Sequence, residues 1–343
     1  MLNFQENTDL IRYTTFWVQA KTKLFVEINS ESDFLDLLET WEWKNNQHLF
    51  LGTGANILFT KDFDWLVVKI NILWKNIVEK NDNNVVVEVG AGEDRNNFVE
   101  RTIDQWWAWI ENMISIPSSV GAAAFGNIGA YGMEAKDRIV SVSGINTTTK
   151  ETTTISNSDC SFWYRESVFK QQFKDNFLIT RVRFNLDVYT PDYILNTNYK
   201  DVQQYIADSR KEINIKTVSQ AISEIRESKL PDRKTLWTAG SFFKNPIVSK
   251  ERVALLRTNF VHLVSFDIPD DPAYVKLSAG QLIELAGFKW YKKGNVGVYD
   301  KHALILVNHG WATGKEIVDL AGEIQDSVQE MFWVSLSPEV IYV

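Results

Sequence analysis

The stretch IPSSVGAAAFGNIGAYG, residues 116–132, decides the fold. It contains too much glycine and alanine, and too little charge, to be a solvated linker. A glycine leaves room for another group to approach the backbone closely, because it has no side chain. We therefore expect another group to approach the backbone of this segment closely.

Two other glycine loops precede it. GTGAN (52–56) follows the apolar strand HLFL (48–51), and VVVEVGAGE (85–93) ends a further strand. GTGAN lacks the third glycine of a dinucleotide fingerprint, so a Rossmann interpretation is weak. Its glycines could still present N–H groups to a phosphate, although a simple tight turn would look the same. Together, the three glycine segments favour one extended ligand that contains a pyrophosphate.

The hydrophobic periodicity predicts a mixed α and β chain in three parts. The capping signals are clearest at Ser30 with Asp33, and at Thr313 with Glu316. The predicted strands are 23–28, 48–51, 66–70, 85–90, 139–146, 177–186, 302–308 and the final EVIYV. The predicted helices begin near residues 34, 94, 217, 250, 279 and 313.

Composition excludes several classes of function. The chain of 343 residues has a net charge of −8, which argues against a nucleic-acid or anionic-membrane partner. The sequence shows no secretion signal and no apolar run long enough to span a bilayer, so we expect a cytoplasmic protein. Cys160 is the only cysteine and the four histidines lack metal-binding spacing, so we expect no metal site. We expect Cys160 to be a buried filler.

Four segments carry a resemblance to a known family: LGTGANILF, VGAGE, IENMISIPSSVGAAAFGNIGAYG and FWYRESVFK. They are similar, in this order, to the flavin-binding portion of UDP-N-acetylenolpyruvoylglucosamine reductases, and the likeness runs nearly end to end. It implies an α+β, three-domain flavoprotein: an FAD-binding two-domain module of PCMH type (vanillyl-alcohol-oxidase-like) and a smaller α+β substrate domain. The implied boundaries are 1–71 with 334–343, 72–216 and 217–333.

The resemblance also implies a reaction. It is the NADPH-dependent, FAD-mediated reduction of UDP-N-acetylglucosamine enolpyruvate to UDP-N-acetylmuramate, a step of peptidoglycan synthesis. Such a reduction needs a hydride at the β-carbon and a proton at the α-carbon. In the family pattern Ser241 of AGSFFKNP gives the proton, while Arg165 of YRES and Glu339 of SPEV hold the substrate carboxylate. Taken singly, each of these residues could equally be a cap or a surface charge.

Further residues are assigned to binding by the same resemblance. Arg226 and Lys229 are three residues apart on one predicted helix, so they can face the same way, although a solvated helix end would look alike. Tyr199 places the chain with members that carry a tyrosine-bearing loop over the substrate. The implied cofactor residues are Gly52, Gly54, Ala55, Asn56, Gly121, Gly129 and Arg226, and the implied substrate residues are Tyr199, Lys229 and Asn245. We expect a monomer.

Two other functions stay open. The family usually has serine at the position of Ala55, glycine at Ser118, proline at Ala124 and a polar amide at Gly126. These differences allow a degenerate nucleotide-sugar-binding protein that has lost its flavin. The second alternative is an FAD-dependent oxidase of the wider superfamily, which would pass electrons to oxygen and would not need Ser241.

The chain contains 13 tryptophans, far too many for its length. An indole cannot adopt the backbone conformations that glycine supplies without strain. We hypothesise that the gene uses UGA as a glycine codon and that the sequence was translated with UGA as tryptophan. Nine tryptophans fall where the family has glycine: Trp17, Trp65, Trp106, Trp109, Trp163, Trp237, Trp290, Trp311 and Trp333.

Overall fold

The computed structural model describes residues 2–232, 235–268 and 271–343. The chain forms two compact units. Unit 1 consists of Met1–Thr8, Thr22–Gly54 and Asp64–Ser228, and unit 2 of Asp9–Lys21, Ala55–Phe63 and Lys229–Val343. Unit 1 therefore takes in most of both expected FAD-binding domains and nearly all of the helix expected to open the substrate domain. The three-domain boundaries stay a prediction.

The secondary structure alternates short strands with helices. The strands are β1 (Gln5–Asp9), β2 (Lys21–Ile28), β3 (His48–Leu51), β4 (Ile57–Leu58), β5 (Phe63–Ile70), β6 (Lys75–Lys80), β7 (Asn84–Gly90), β8 (Trp107–Ala108), β9 (Gly129–Ala130), β10 (Met133–Glu134), β11 (Ile139–Asn146), β12 (Thr152–Ser156), β13 (Phe177–Val188), β14 (Ile247–Ser249), β15 (Ser265–Asp267), β16 (Tyr274–Leu277), β17 (Lys292–Lys293), β18 (Val296–Val298), β19 (Leu306–Asn308) and β20 (Ile341–Tyr342). The helices are α1 (Glu31–Glu39), α2 (Trp41–Lys44), α3 (Arg95–Asp104), α4 (Val120–Gly126), α5 (Lys200–Ser209), α6 (Ile215–Lys229), α7 (Lys250–Arg257), α8 (Ala279–Leu285) and α9 (Gly314–Phe332).

The first sheet of unit 1 has the strand order β1-β2-β5-β3. Strands β3 and β5 run parallel, with His48 opposite Leu66. Helix α1 begins as its sequence predicts, because the Ser30 side chain accepts a hydrogen bond from the Asp33 amide at 3.0 Å. Phe34 and Leu37 then bury the apolar face of the helix. The predicted strands and helix of this region are confirmed.

The second sheet of unit 1 is antiparallel, with the order β12-β11-β13-β7-β6 and with β8 also paired to β13. Gly144 shows why β11 and β13 can lie so close. A Cβ on this residue would be 2.1 Å from the Leu178 carbonyl oxygen, so no other residue fits without a shift. Helix α6, predicted from the sequence to begin near residue 217, packs on the same core through Val218, Ala221 and Ile222.

The glycine–alanine run at 116–132 contains helix α4, which the sequence patterns did not predict. Its close neighbour is the end of β7, since a Cβ on Gly121 would be 2.8 Å from the Ala91 Cβ. Gly90 and Gly92 are packed in turn against Ile72, whose backbone oxygen and nitrogen lie 2.4 and 2.6 Å from where their Cβ atoms would be. Packing inside the protein therefore explains why these two residues are glycines, and the expectation that VGAGE faces a ligand stays a prediction.

Unit 2 has two small antiparallel sheets, β14-β16-β15 and β17-β18-β19, and a parallel pair of β4 with β20. Helix α9 starts with the predicted capping box, in which Thr313 and Glu316 bond each other's backbone amides. The strand predicted at 302–308 is shorter than expected. Its first residues form a turn, with the Ile305 amide donating to the His302 oxygen at 3.0 Å. Within the described ranges, no helix is both long and apolar enough to cross a membrane.

Candidate functional site

Ser241 and Glu339 lie on neighbouring segments of unit 2. The Glu339 amide donates to the Phe242 oxygen at 2.8 Å, and the Lys244 amide donates to the Ser337 oxygen at 2.9 Å. Gly240 precedes Ser241 with a φ of +81°, and a Cβ there would meet no atom within 4 Å. The structure thus brings the segments of the expected proton donor and carboxylate together, and it leaves open space beside Gly240.

Asn56 ties the GTGAN loop to the segment of Glu339. Its side-chain amide donates to the Glu339 backbone oxygen at 2.8 Å, and its own backbone oxygen accepts from the Ile341 amide at 3.0 Å. The neighbouring Ala55 oxygen accepts from the Thr15 hydroxyl at 3.1 Å. Asn56 therefore orders the chain end that carries Glu339, and its expected contact with the cofactor stays a prediction.

The expected substrate residues have different environments. The Asn245 side-chain oxygen accepts a hydrogen bond from the Ala279 amide at 3.0 Å, which fixes it at the start of α8. Lys229 is exposed as the last residue of α6, and Arg226 is half-buried one turn earlier. Tyr199 precedes α5, a helix that the sequence patterns missed, and is 43% exposed. Contact of these residues with substrate stays a prediction.

Arg165 belongs to unit 1, where it is joined to the glycine run. Its Nη2 atom donates to the Gly129 oxygen at 2.9 Å, and its backbone oxygen accepts from the Lys170 ammonium at 2.7 Å. Its φ of +57° is unusual for a residue other than glycine. These contacts hold Arg165 in a conformation that would otherwise be unfavourable, as is common at functional sites.

The expected cofactor glycines are required by packing inside the protein. A Cβ on Gly52 would be 2.5 Å from the Ser119 hydroxyl oxygen, and a Cβ on Gly129 would be 2.5 Å from the Met133 oxygen. Gly54 has a φ of +65°, which favours glycine for conformational reasons. Close contacts of neighbouring groups with the backbone explain Gly52 and Gly129, and the positive φ explains Gly54. The same contacts fix the shape of the loops.

A buried cation that the sequence patterns do not reveal lies beside these loops. Arg95 is 2% exposed and donates to the Ser118 hydroxyl at 3.2 Å and to the Met113 and Ile116 backbone oxygens. Burial, together with the nearby charge of Arg226, lowers the pKa of Arg95 to about 9. Only its place one residue after the Asp94 cap could have drawn attention to it.

The charges and small residues of this region fit FAD. Arg95 and Arg226 repel each other, and a bound pyrophosphate would relieve that repulsion. The Ser118 hydroxyl, a departure from the family pattern, accepts from Arg95. A Cβ on Gly126 would come no closer than 3.7 Å to the protein. Ser118 is therefore compatible with an ordered site, and the open space at Gly126 leaves room for a ligand.

Glu111 is fully buried in unit 1, and its Oε2 atom accepts from the Trp109 amide at 2.7 Å. Burial raises its pKa to about 6, above the ordinary 4.5. The folded state thus holds this proton more tightly than the unfolded state. The stabilisation that comes from this pKa difference is fully present below about pH 4.5 and is lost as the pH rises through about 6.

Cys160 is also buried, as predicted, and burial with the nearby Asp159 raises its pKa to about 12.

Replacing Glu111 with glutamine is expected to increase the free energy of unfolding by about 2 kcal/mol at pH 8. The amide keeps an acceptor for Trp109 and removes the buried charge. Below about pH 4.5 both side chains are neutral, so the difference should fall to nearly zero. Urea unfolding at both pH values measures it. The exposed Glu330→Gln is the control, and an equal gain at both pH values would contradict the burial argument.

Comparison with known sequences places the chain with flavin-dependent reductases. Residues 231–343 match the family described as UDP-N-acetylenolpyruvoylglucosamine reductase, C-terminal domain, and residues 22–154 match an FAD binding domain. A UDP-N-acetylenolpyruvoylglucosamine reductase of Flavobacterium johnsoniae is 42% identical over 340 residues, covering 99% of both chains. The protein of the same description from Chromobacterium violaceum is 40% identical over 340 residues, covering 98% of both.

A solved structure shows the same fold. The UDP-N-acetylenolpyruvylglucosamine reductase of Thermus caldophilus matches with a TM-score of 0.67 at 20% identity, covering 100% of this chain and 98% of the other. The mixed α+β architecture predicted from the sequence is thereby confirmed across both units.

Proposed function

Because the chain belongs to the UDP-N-acetylenolpyruvoylglucosamine reductase family, we propose that it reduces UDP-N-acetylglucosamine enolpyruvate to UDP-N-acetylmuramate, with FAD as cofactor and NADPH as hydride donor. The observation that carries this function is the 42% identity over 99% of both chains. It makes the protein an FAD-dependent oxidoreductase of peptidoglycan synthesis whose substrate is a nucleotide sugar.

The chain's own residues have three tasks in this reaction. When bound, FAD would supply the hydride chemistry at the β-carbon of the enol ether, with NADPH as the source of electrons. Arg165 and Glu339 orient the substrate carboxylate, on which negative charge develops as the hydride arrives. Ser241 donates a proton to the α-carbon, which completes the reduction. The backbone pairing between the Ser241 and Glu339 segments supports this assignment, because it fixes both residues on ordered chain.

Binding is assigned to two groups of residues. Arg226 and the loops of Gly52, Gly54, Ala55, Asn56, Gly121 and Gly129 would hold FAD, with its pyrophosphate close to the cations of unit 1. Lys229, Tyr199 and Asn245 would hold the nucleotide sugar. We also propose that the protein is a monomer. We place it in the cytoplasm, where it can bind charged nucleotides that do not have to cross a bilayer.

A flavin assay tests this function directly. The purified protein should be yellow, NADPH should bleach its flavin absorption under anaerobic conditions, and UDP-N-acetylglucosamine enolpyruvate should restore the colour. Restoration by oxygen alone, with no response to the nucleotide sugar, would instead indicate the oxidase alternative. A colourless protein that binds the nucleotide sugar would indicate the flavin-free alternative.

A further inference from the structure

A buried amide helps attach the segment that carries Tyr199 to the end of the glycine run. Asn112 is 1% exposed, and its Nδ2 atom donates to the Tyr131 oxygen at 3.1 Å and to the Asn196 oxygen at 2.8 Å. One side chain thus joins two loops that are distant in sequence. Both of its N–H groups are used, and the primary amide is the uncharged side-chain group that carries two such donors.

Further contacts follow from this attachment. The Asn196 side-chain amide donates to the Gly132 oxygen at 3.3 Å, and a Cβ on Gly132 would be 2.7 Å from Asn196 Nδ2. The rings of Tyr131 and Tyr199 meet edge to face with centroids 5.2 Å apart. The position of Tyr199 is therefore set through the contacts that Asn112 organises.

We propose that Asn112 is a positioning residue for the nucleotide sugar: it holds the Tyr199 segment against the glycine run so that the tyrosine is preorganised for substrate. This inference rests on the proposed function. The Oδ1 atom of Asn112 is buried with no hydrogen-bond partner among the described residues. An orphaned acceptor costs stability, so the amide's two donors are the feature that justifies asparagine here.

The test uses Asn112→Ser and Asn112→Asp in the flavin-loaded enzyme, with active enzyme counted by flavin absorption. The KM for the nucleotide sugar should rise about five- to tenfold, the effect expected when a misplaced Tyr199 loses about one hydrogen bond's worth of substrate binding, while NADPH-driven flavin reduction stays unchanged. In a Tyr199→Ala background the same substitutions should change KM less than about twofold, because the residue being positioned is absent.

Fully additive effects of the Asn112 and Tyr199 changes, or an unchanged KM, would overturn the positioning role while leaving the proposed function intact. A wild-type enzyme whose reduced flavin ignores the nucleotide sugar would overturn the proposed function itself. The exposed Asn198→Ser, in the same segment, is the matched control and should leave KM unchanged.

A second inference rests independently on the backbone. Among the described residues, six tryptophans have left-handed φ values: Trp17 (53°), Trp106 (57°), Trp109 (100°), Trp290 (65°), Trp311 (62°) and Trp333 (53°). This conformation is strained for L-residues, and bulky side chains are rarely found in it. Nearly half of the chain's 13 tryptophans therefore adopt a conformation that favours glycine.

Two of the six occupy helix ends where glycine is the preferred residue. Trp106 follows the end of α3, and its amide donates to the Ile103 oxygen at 3.1 Å. Trp333 ends α9, and its amide donates to the Gln329 oxygen at 2.9 Å. Left-handed residues with these backbone bonds close a helix, and glycine does so without steric cost.

Exposure separates these tryptophans from ordinary ones. Trp290, Trp311 and Trp333 are 69%, 79% and 76% exposed, although tryptophan is a highly buried residue on average. By contrast, Trp107 is 3% exposed in the core, and Trp43 packs edge to face on Phe34. The indole rings of the first group lie mostly in solvent, although the Lys289 ammonium lies 5.5 Å from the ring centre of Trp290. The second group uses its rings in packing.

We infer that the natural protein has glycine at these six positions and tryptophan at Trp43 and Trp107. UGA codons read as glycine would explain the substitution. Trp65, Trp163 and Trp237 lack the left-handed φ, so at these three positions the hypothesis rests on the sequence alone.

Peptide mass spectrometry of the protein isolated from its native cells tests this inference. We expect glycine masses and UGA codons at the six positions. We expect tryptophan masses and UGG codons at positions 43 and 107. UGG codons or tryptophan masses at the six positions would overturn it.

In a recombinant host, replacing the six residues with glycine should raise the thermal midpoint of unfolding, while Trp107→Gly should lower it. A lower midpoint for the sixfold variant would count against the inference.

Discussion

Replacing Ser241 with alanine is expected to leave the reduction of flavin by NADPH intact and to slow its reoxidation by the nucleotide sugar by about 100- to 10 000-fold. The hydroxyl is the proposed source of the proton at the α-carbon, so only the second half-reaction needs it. Stopped-flow absorbance resolves the two halves, because each changes the flavin spectrum in the opposite direction.

The size of this effect follows from the chemistry of serine. A neutral hydroxyl is a weak acid, so it can donate only to a strongly basic centre such as an enolate. Removing it leaves water as the donor, which is neither positioned nor held at the carbon. The control is Ser335→Ala, since Ser335 is exposed and its hydroxyl donates to the Gln329 side chain. Equal losses in both halves for Ser241→Ala would contradict the assigned role.

The parts of the fold that could be predicted are those with strong local signals. Helix α9 was predicted because Thr313 and Glu316 form a capping box before a regular apolar face, and both features depend on neighbouring residues. Strands β2 and β13 were predicted from their apolar patterns. By contrast, the strand at 302–308 was overextended, because a turn bonded through His302 competes with the apolar run.

The candidate site was predictable to a smaller extent. Its proposed residues came from the family resemblance, since no spacing of Ser241, Arg165 and Glu339 indicates a shared task. Arg95 was missed because its partners are the backbone oxygens of Met113 and Ile116 and the Ser118 hydroxyl, and such partners leave no pattern in the sequence. Asn112 was missed for the same reason. Both residues donate hydrogen bonds to backbone oxygens that come close to them only in the folded chain.

Replacing Arg95 with alanine is expected to lower the free energy of unfolding by about 3–5 kcal/mol. The substitution leaves the carbonyl groups of Met113 and Ile116 buried without their donor, and it creates a cavity where a large side chain was enclosed. Urea unfolding of the variant and the wild type at about pH 7.5, where the guanidinium is still charged, measures the loss.

The same helix supplies the control for this substitution. Arg101 lies on the exposed side of α3, so Arg101→Ala should change stability by no more than about 0.5 kcal/mol. Because Arg95 remains protonated at neutral pH, with a pKa of about 9, it also contributes positive charge beside Arg226. Loss of this charge in Arg95→Ala should therefore also lower the affinity for FAD. Arg95→Met restores the side-chain volume but not the charge or the hydrogen-bond donors, so it should recover part of the stability and none of the FAD affinity. Equal FAD affinity in Arg95→Met and wild type would show that Arg226 and the loop amides hold the pyrophosphate without the buried cation.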